Sequence, residues 1–239
     1  VADSAAAPQR PSLIRRLWHF VRDVFVACLI AAATYYGWCT LLLLLYTVTF
    51  PLTTGVQMQR RVESFFEEDA YEKQYDPVTY SDMSEHLPHA LVAAEDTRFY
   101  DHGGADWEAI RAAVEDNIQR GYAYRGGSTI TQQLVKNLFQ TTHSSYVRKA
   151  LELPLTYLAE LILSKERILE LYLNVIEFDR GVYGVEAAAE RYYDTSAAGV
   201  SRHQSATLAA VVPNPRERTP QRMGGYTSTI LTRMRQMGH

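Results

Sequence analysis

Ala94-Glu95-Asp96-Thr97-Arg98-Phe99-Tyr100-Asp101-His102-Gly103-Gly104 puts an acidic pair on an apolar helical stripe. Leu91, Glu95 and Phe99 recur at i, i+4 and i+8 with Val92 beside them, so Glu95 falls on the face meant for the core. Pro88 suits the first turn of that helix, where a missing N–H is no loss. The glycines after His102 suit its left-handed cap, so one helix is expected from about Pro88 to His102. A carboxylate buried without a partner holds its proton more tightly, which fits a proton-transfer group. The other reading is a structural glutamate paired with Arg98 at i+3. The residues leave both readings open, and Asp96 carries the same ambiguity.

Working outward, Gly126-Gly127-Ser128-Thr129-Ile130-Thr131-Gln132-Gln133-Leu134-Val135-Lys136-Asn137 is a glycine turn opening a helix. Thr129 and Gln132 have capping-box spacing. The free N–H groups and positive dipole end suit an anion, with Gln133, Lys136 and Asn137 projecting along neighbouring faces. An ordinary capped helix with a solvated polar face would read the same. No Gly-Lys-Ser or Gly-Lys-Thr closes the block, so it is not a nucleotide P-loop, and no nucleotide cofactor is expected. In Arg148-Lys149-Ala150-Leu151-Glu152, both cations lie within a turn of Glu152. As a surface ion pair this is worth a few tenths of a kcal/mol, roughly. Pro154 is expected to break or kink the helix beside it. Most of the stripe Leu155, Leu158, Leu161, Ile162, Ile168, Leu169 and Tyr172 reads as core. Phe178 to Gly184 reads as a turn or loop, Pro213-Asn214-Pro215 ends another apolar helix, and the basic tail beyond is expected to be peripheral.

The chain has 239 residues and a net charge of −3, which gives no field for nucleic acid. The seven histidines are scattered, and no cysteine or second histidine pair joins His86 and His89 in a zinc set. From Val24 to Gln59 there is no Asp, Glu, Lys or Arg, and about 20 apolar residues suffice to cross a bilayer. Arg10, Arg15, Arg16 and Arg22 precede this span and predict a cytoplasmic N-terminus, against the weaker contrary pair Arg60 and Arg61. Both cysteines, Cys28 and Cys39, fall inside the span, about 16 Å apart along a helix, too far to bridge. Residues 51–80 read as a connector, with Val62, Phe65, Phe66 and Ala70 able to form a short amphipathic helix. The expected organisation is a tail at 1–22, a transmembrane helix at 23–50, the connector at 51–80 and a single helical domain at 81–239.

In this order the motifs resemble the peptidoglycan glycosyltransferases (family 51), in their monofunctional, membrane-anchored form. Glu95-Asp96-x-x-Phe99-x-x-His102-x-Gly104 is similar to the first family motif. Gly126-Gly127-Ser128-Thr129 with Gln132-Gln133-x-x-Lys136-Asn137 is similar to the second, and Arg148-Lys149-x-x-Glu152 to the third. Arg167-Ile168-Leu169-Glu170-x-Tyr172-Leu173-Asn174, with Gly181, Tyr183-Gly184 and Ala187-Ala188, resembles the fourth. Leu208-Ala209-Ala210 with Pro213-Asn214-Pro215 resembles the fifth. The chain departs where Asp194-Thr195 follow Tyr192-Tyr193 in place of a common lysine, and where Gln204 replaces a common glutamate.

The resemblance implies a mainly α, lysozyme-like lobe with a small membrane-facing jaw, built partly from the connector and the Ile118 to Arg125 region. It implies polymerisation of lipid II by inverting glycosyl transfer from a polyprenyl-pyrophosphate-linked strand to the 4-hydroxyl of an acceptor. Glu95 would be the base and Glu152 the second catalytic glutamate. Ser128, Thr129, Gln133, Lys136, Asn137, Arg148 and Lys149 would bind substrate and pyrophosphate, supported by Asp96, Phe99, His102 and Gly127. Glu152 could also hold a divalent ion, Mg or Mn, on the pyrophosphate. Expected partners are lipid II, the polyprenyl-linked strand, the bilayer and cell-wall synthase or division proteins, with no nucleic acid. The implied place is a bacterial inner membrane, with the catalytic domain outside it. A glycan-cleaving enzyme of the same fold and a non-catalytic cell-wall scaffold are the rival readings. A bifunctional penicillin-binding protein is not expected, since the chain carries no Ser-x-x-Lys.

Overall fold

The computed structural model describes residues 13–67, 70–121, 127–143 and 145–239. Arg10 of the basic flank, Gly126 of the turn and residues 122–125 of the expected jaw lie outside the described residues. The chain divides into two units, Val1–Leu41 and Leu42–His239, each taken by itself.

The first unit is most of α1 (Leu13–Leu45), a helix of 33 residues. At 1.5 Å per residue it is about 50 Å long, more than a hydrocarbon core of about 30 Å requires. Leu29, Ile30 and Leu41 are more than half exposed, so it is not the core helix of a soluble domain. The Thr34 and Thr40 hydroxyls donate to the carbonyls of Ile30 and Tyr36, at 2.9 and 2.7 Å, so neither is left unpaired in an apolar medium.

The second unit is mainly helical. Thr54 caps α2 (Gly55–Glu63), accepting from the Gln57 amide at 3.2 Å. A 3-10 turn, Ser64–Phe66, follows. Phe65 and Phe66, able by their spacing to share a face of a short amphipathic helix, lie in this turn and are 75% and 87% exposed. Further along come α3 (His86–Glu95), α4 (Trp107–Arg120), α5 (Ile130–Phe139), α6 (Tyr146–Ile162) and α7 (Lys165–Val175). Then follow α8 (Val185–Tyr193), α9 (Arg202–Val211) and α10 (Gly224–Gln236).

Alanines make the tightest packing. Ala90 and Ala93 of α3 meet Ala206, Ala209 and Ala210 of α9, while Ile230 and Met234 of α10 close the cluster. Side chains this small let helix backbones approach closely. The tail expected to be peripheral is therefore structural: Tyr226, Ile230 and Met234 recur every four residues and aim one face inward. α5 lies among α2, α6 and α7, and its Ile130, Leu134 and Val135 are fully buried.

The connector is fastened by side chains from α7. Asn174 accepts from the Val78 amide at 2.9 Å and donates to the Val78 carbonyl at 2.8 Å. Glu170 accepts from the Tyr80 amide at 2.8 Å and pairs with Arg167 at 2.5 Å. Arg167 in turn donates to the carbonyls of Tyr46 and Thr49, at 2.7 and 2.5 Å, tying down the chain after α1.

Several expectations are corrected. α3 ends at Glu95, seven residues before His102, because Asp96 leaves helical geometry at φ −158°. α6 runs unbroken through Pro154. Residues expected as a loop form a hairpin, β2 (Glu177–Asp179) and β3 (Val182–Tyr183). β1 (Gln74–Tyr75) from the connector adds to β3 in parallel, giving the order β1-β3-β2. Gly181 turns the hairpin at φ +77°, and a Cβ there would stand 2.2 Å from the Glu72 carbonyl oxygen. Gly181→Ala should therefore lower stability by about 2–4 kcal/mol, combining left-handed strain with a backbone clash, as read by thermal unfolding. Gln204, one of the two departures, keeps its local function: Ser201 and Gln204 form the capping box of α9.

Candidate active site

Ending α3 at Glu95 sets that carboxylate at the floor of a cavity of about 820 Å³. Solvent reaches it from the cavity while protein surrounds it elsewhere. Gln133 of α5 donates from Nε2 to Glu95 Oε2 at 2.6 Å, and its Oε1 accepts from the Tyr172 hydroxyl at 2.7 Å. The tyrosine fixes which way the amide faces, and the amide fixes the carboxylate. Burial raises the pKa of Glu95 and Asp96 adds to the effect; Gln133, Lys136 and Arg218 pull the other way without cancelling it. Arg98 is not its partner, since that guanidinium pairs with Glu108 and lies 3.8 Å from Asp106.

Asp96 has a different task. It is buried, its Oδ2 accepts from the Ile130 amide at 3.2 Å, and His102 Nε2 lies 3.1 Å from both oxygens. The anion at the N-terminus of α5 is thus the protein's own side chain. Thr129 is committed as well: its hydroxyl accepts from the Gln132 amide and donates to the Gly104 carbonyl. Phe99 is fully buried under His102. At Gly127 a Cβ would come 3.1 Å from Ile110 Cα, so glycine lets this turn lie against α4.

The basic group stands next to this floor. Arg148 Nη1 and Lys149 Nζ each donate to one oxygen of the buried Glu152, at 2.6 and 2.7 Å. Lys149 also reaches Ser128 Oγ at 3.0 Å, linking α6 to the glycine turn. Lys136 sits between the two glutamates. Burial lowers its pKa and the like charges of Arg148 and Lys149 add to that, while Glu152 and Glu95 counter it. Ser128 and Gln133 line the large cavity; Gln133, Lys136 and Asn137 line a smaller one of about 240 Å³ beside it.

Asp96, His102 and Asp106 also bring three potential ligand atoms within 4.8 Å of one another. Asp106 accepts from the Ala109 amide at 2.9 Å, so both carboxylates are already engaged by protein donors.

The opposite wall was not expected from sequence. Arg218, Tyr226, Arg233 and Gln236 line the large cavity. Arg233 and Tyr226 donate to the carbonyls of Ala93 and Ala94, at 3.1 and 3.3 Å, covering the C-terminal end of α3 behind Glu95. The four-residue recurrence of Tyr226, Ile230 and Met234 was the available signal.

In this mainly helical unit a glutamate of raised pKa, oriented by Gln133, stands beside a cationic cluster. Residues 60–237 match the family described as transglycosylase, and the chain belongs to that family. It is 43% identical over 235 residues to the biosynthetic peptidoglycan transglycosylase of Bordetella pertussis (strain Tohama I), covering 95% of this chain and 97% of that one. It is 52% identical over 161 residues to the protein of that name from Dechloromonas aromatica (strain RCB), covering 66% and 70%. The Pseudomonas fluorescens (strain SBW25) protein of that name is 47% identical over 176 residues, covering 74% and 73%.

Proposed function

We propose that this protein polymerises lipid II into the glycan strands of peptidoglycan. The observation that carries the reading is Glu95, desolvated and oriented by Gln133, beside the Arg148–Lys149–Glu152 cluster. Glu95 takes the proton of the acceptor's 4-hydroxyl as that oxygen attacks the donor's anomeric carbon. The bond from that carbon to the pyrophosphate oxygen breaks on the opposite face, which inverts the α-linkage to β. The departing pyrophosphate leaves as an anion and is met by Lys149 and Arg148, with Lys136, Asn137 and Ser128 in support. Simple cleavage of glycan would need no such cationic cluster.

Glu152 does not suit a divalent ion. Both of its oxygens already accept from cations, and a further +2 charge there would be repelled by Arg148 and Lys149. Its role in this reading is to hold those cations in place.

α1 supports a single-pass anchor. With Arg15, Arg16 and Arg22 at its start, the positive-inside rule puts the N-terminus in the cytoplasm and the catalytic unit outside a bacterial inner membrane. Exposed apolar side chains on α4 (Trp107, Val114, Ile118) and α6 (Val147, Leu161) suit a jaw that touches the lipid surface.

Detergent-solubilised protein given labelled lipid II should yield a ladder of long glycan on size separation. Breakdown of preformed glycan without new polymer would sink this reading in favour of a hydrolase. Arg218 lowers the pKa of Glu95 from across the cavity. Arg218→Ala should therefore move the acid limb of the rate profile to higher pH; an unmoved limb would separate Arg218 from the base.

A further inference from the structure

Tyr172 of α7 stands one side chain behind Glu95 and is buried. Its hydroxyl donates to Gln133 Oε1 at 2.7 Å and, among the described residues, to nothing else. Gln133 Nε2 donates to Glu95 Oε2 at 2.6 Å. Turned the other way, the amide would set its oxygen against the carboxylate. Two acceptors would then meet, unless Glu95 carried a proton to donate. The two amide orientations therefore favour different forms of Glu95. Nε2 forward favours the carboxylate; Oε1 forward favours the acid. The tyrosine biases that choice, because turning the amide would leave its buried O–H without an acceptor. The hydroxyl keeps its proton throughout, since burial and the charge of Glu95 hold its pKa well above the ordinary value.

We propose that Tyr172 is a positioning residue for the transfer: by holding the Gln133 amide with Nε2 toward Glu95, it keeps that glutamate in the form that can take a proton. The proposal rests on the role given to Glu95 above. Other titratable groups face Glu95: Asp96 at the end of α3, Lys136 of α5, and Arg218, Tyr226 and Arg233 across the cavity. They act on Glu95 in either amide orientation, whereas Tyr172 acts through the amide.

Tyr172→Phe removes the hydroxyl and keeps the ring, so the amide is free to turn and accept from a protonated Glu95. With the full chain in detergent micelles, the acid limb of lipid II polymerisation should move up by about one pH unit or more, the usual worth of a hydrogen bond to a charged group. At a fixed pH on that limb kcat falls about tenfold, recovers on the alkaline plateau, and KM is unchanged. A tyrosine that only packs would leave the limb in its wild-type place, and that result overturns the proposal. p-Aminophenylalanine at position 172 keeps a weaker donor there. Its limb should fall between the other two, and it decides the matter if Tyr172→Phe does not fold; an unmoved limb again overturns the proposal.

Thermal unfolding reads the same coupling without polymerisation. The melting deficit of Tyr172→Phe should be level below the folded pKa of wild-type Glu95 and grow as pH rises through it, because the folded variant keeps its extra proton over a wider range. In a Glu95→Gln background the deficit should be level at every pH. A level deficit with Glu95 present, alongside polymer from wild type, sinks the role of Tyr172 and leaves the reaction. A growing deficit without polymer from wild type keeps the coupling and sinks the reaction.

Discussion

Glu95→Gln should lower the rate of glycan polymerisation by about 10²–10⁴-fold, the usual worth of a positioned general base. The substitution is nearly isosteric and keeps an oxygen to accept from Gln133 Nε2, so the cavity should stay intact and lipid II should still bind. What is lost is the capacity to take a proton. Burial raises the pKa of Glu95, so the wild-type rate should fall with decreasing pH at a higher pH than an ordinary glutamate would give. A single-turnover assay across pH checks both points. A Glu95→Gln enzyme within tenfold of wild type would remove the base assignment.

The same carboxylate has a thermodynamic signature of opposite sign. With its folded pKa above its unfolded one, the folded state binds the extra proton between the two values. Stability from this group is fully present below the unfolded pKa and is lost as pH rises through the folded pKa. At a pH above the folded pKa the native protein therefore holds a charge it would hold more easily unfolded. Glu95→Gln should then melt higher than wild type at pH 7, with the gain vanishing below the ordinary glutamate pKa. An inactive, more stable variant is what a group kept for chemistry predicts.

The parts of the site that depend on local pattern were legible in the sequence. The Thr129–Gln132 capping box is present as spaced, and Arg148 and Lys149 both reach Glu152 as helical spacing requires. What was hidden depends on distant partners. The apolar stripe continues past Glu95 to Phe99, yet the helix stops, because Asp96 turns out to bind the Ile130 amide 34 residues away. The Glu177–Tyr183 hairpin is too short to alternate visibly, and β1 joins it from the connector about 100 residues earlier. Arg218 and Arg233 looked like tail charges; the packing of α10 on α3 and α9 brings Arg233 to the cavity, and a hydrogen bond to the Ala210 carbonyl holds Arg218 there.

Glu152 and Lys149 should separate structural from chemical roles by failing differently. Glu152 is 2% exposed, and its charge is balanced by one partly buried cation and one nearly half exposed. Glu152→Gln removes the anion and leaves Arg148, Lys149 and Lys136 facing one another. Breaking a buried pair costs about 3–5 kcal/mol; solvent reaching Lys149 cuts that to about 2–3. For a chain of this length that is a fall of roughly 4–12 °C in melting temperature. Lys136, which Glu152 helps keep protonated, should lose its proton at lower pH as well. Lys149→Ala leaves the stronger Arg148–Glu152 contact in place, so it should melt within a few degrees of wild type. Its cost should appear in the chemical step, at about 10²–10³-fold for one lost donor to a departing anion. A Lys149→Ala enzyme less than about tenfold slower than wild type would remove the leaving-group role. A Glu152→Gln protein that melts and turns over like wild type would show that the cations hold their places without it.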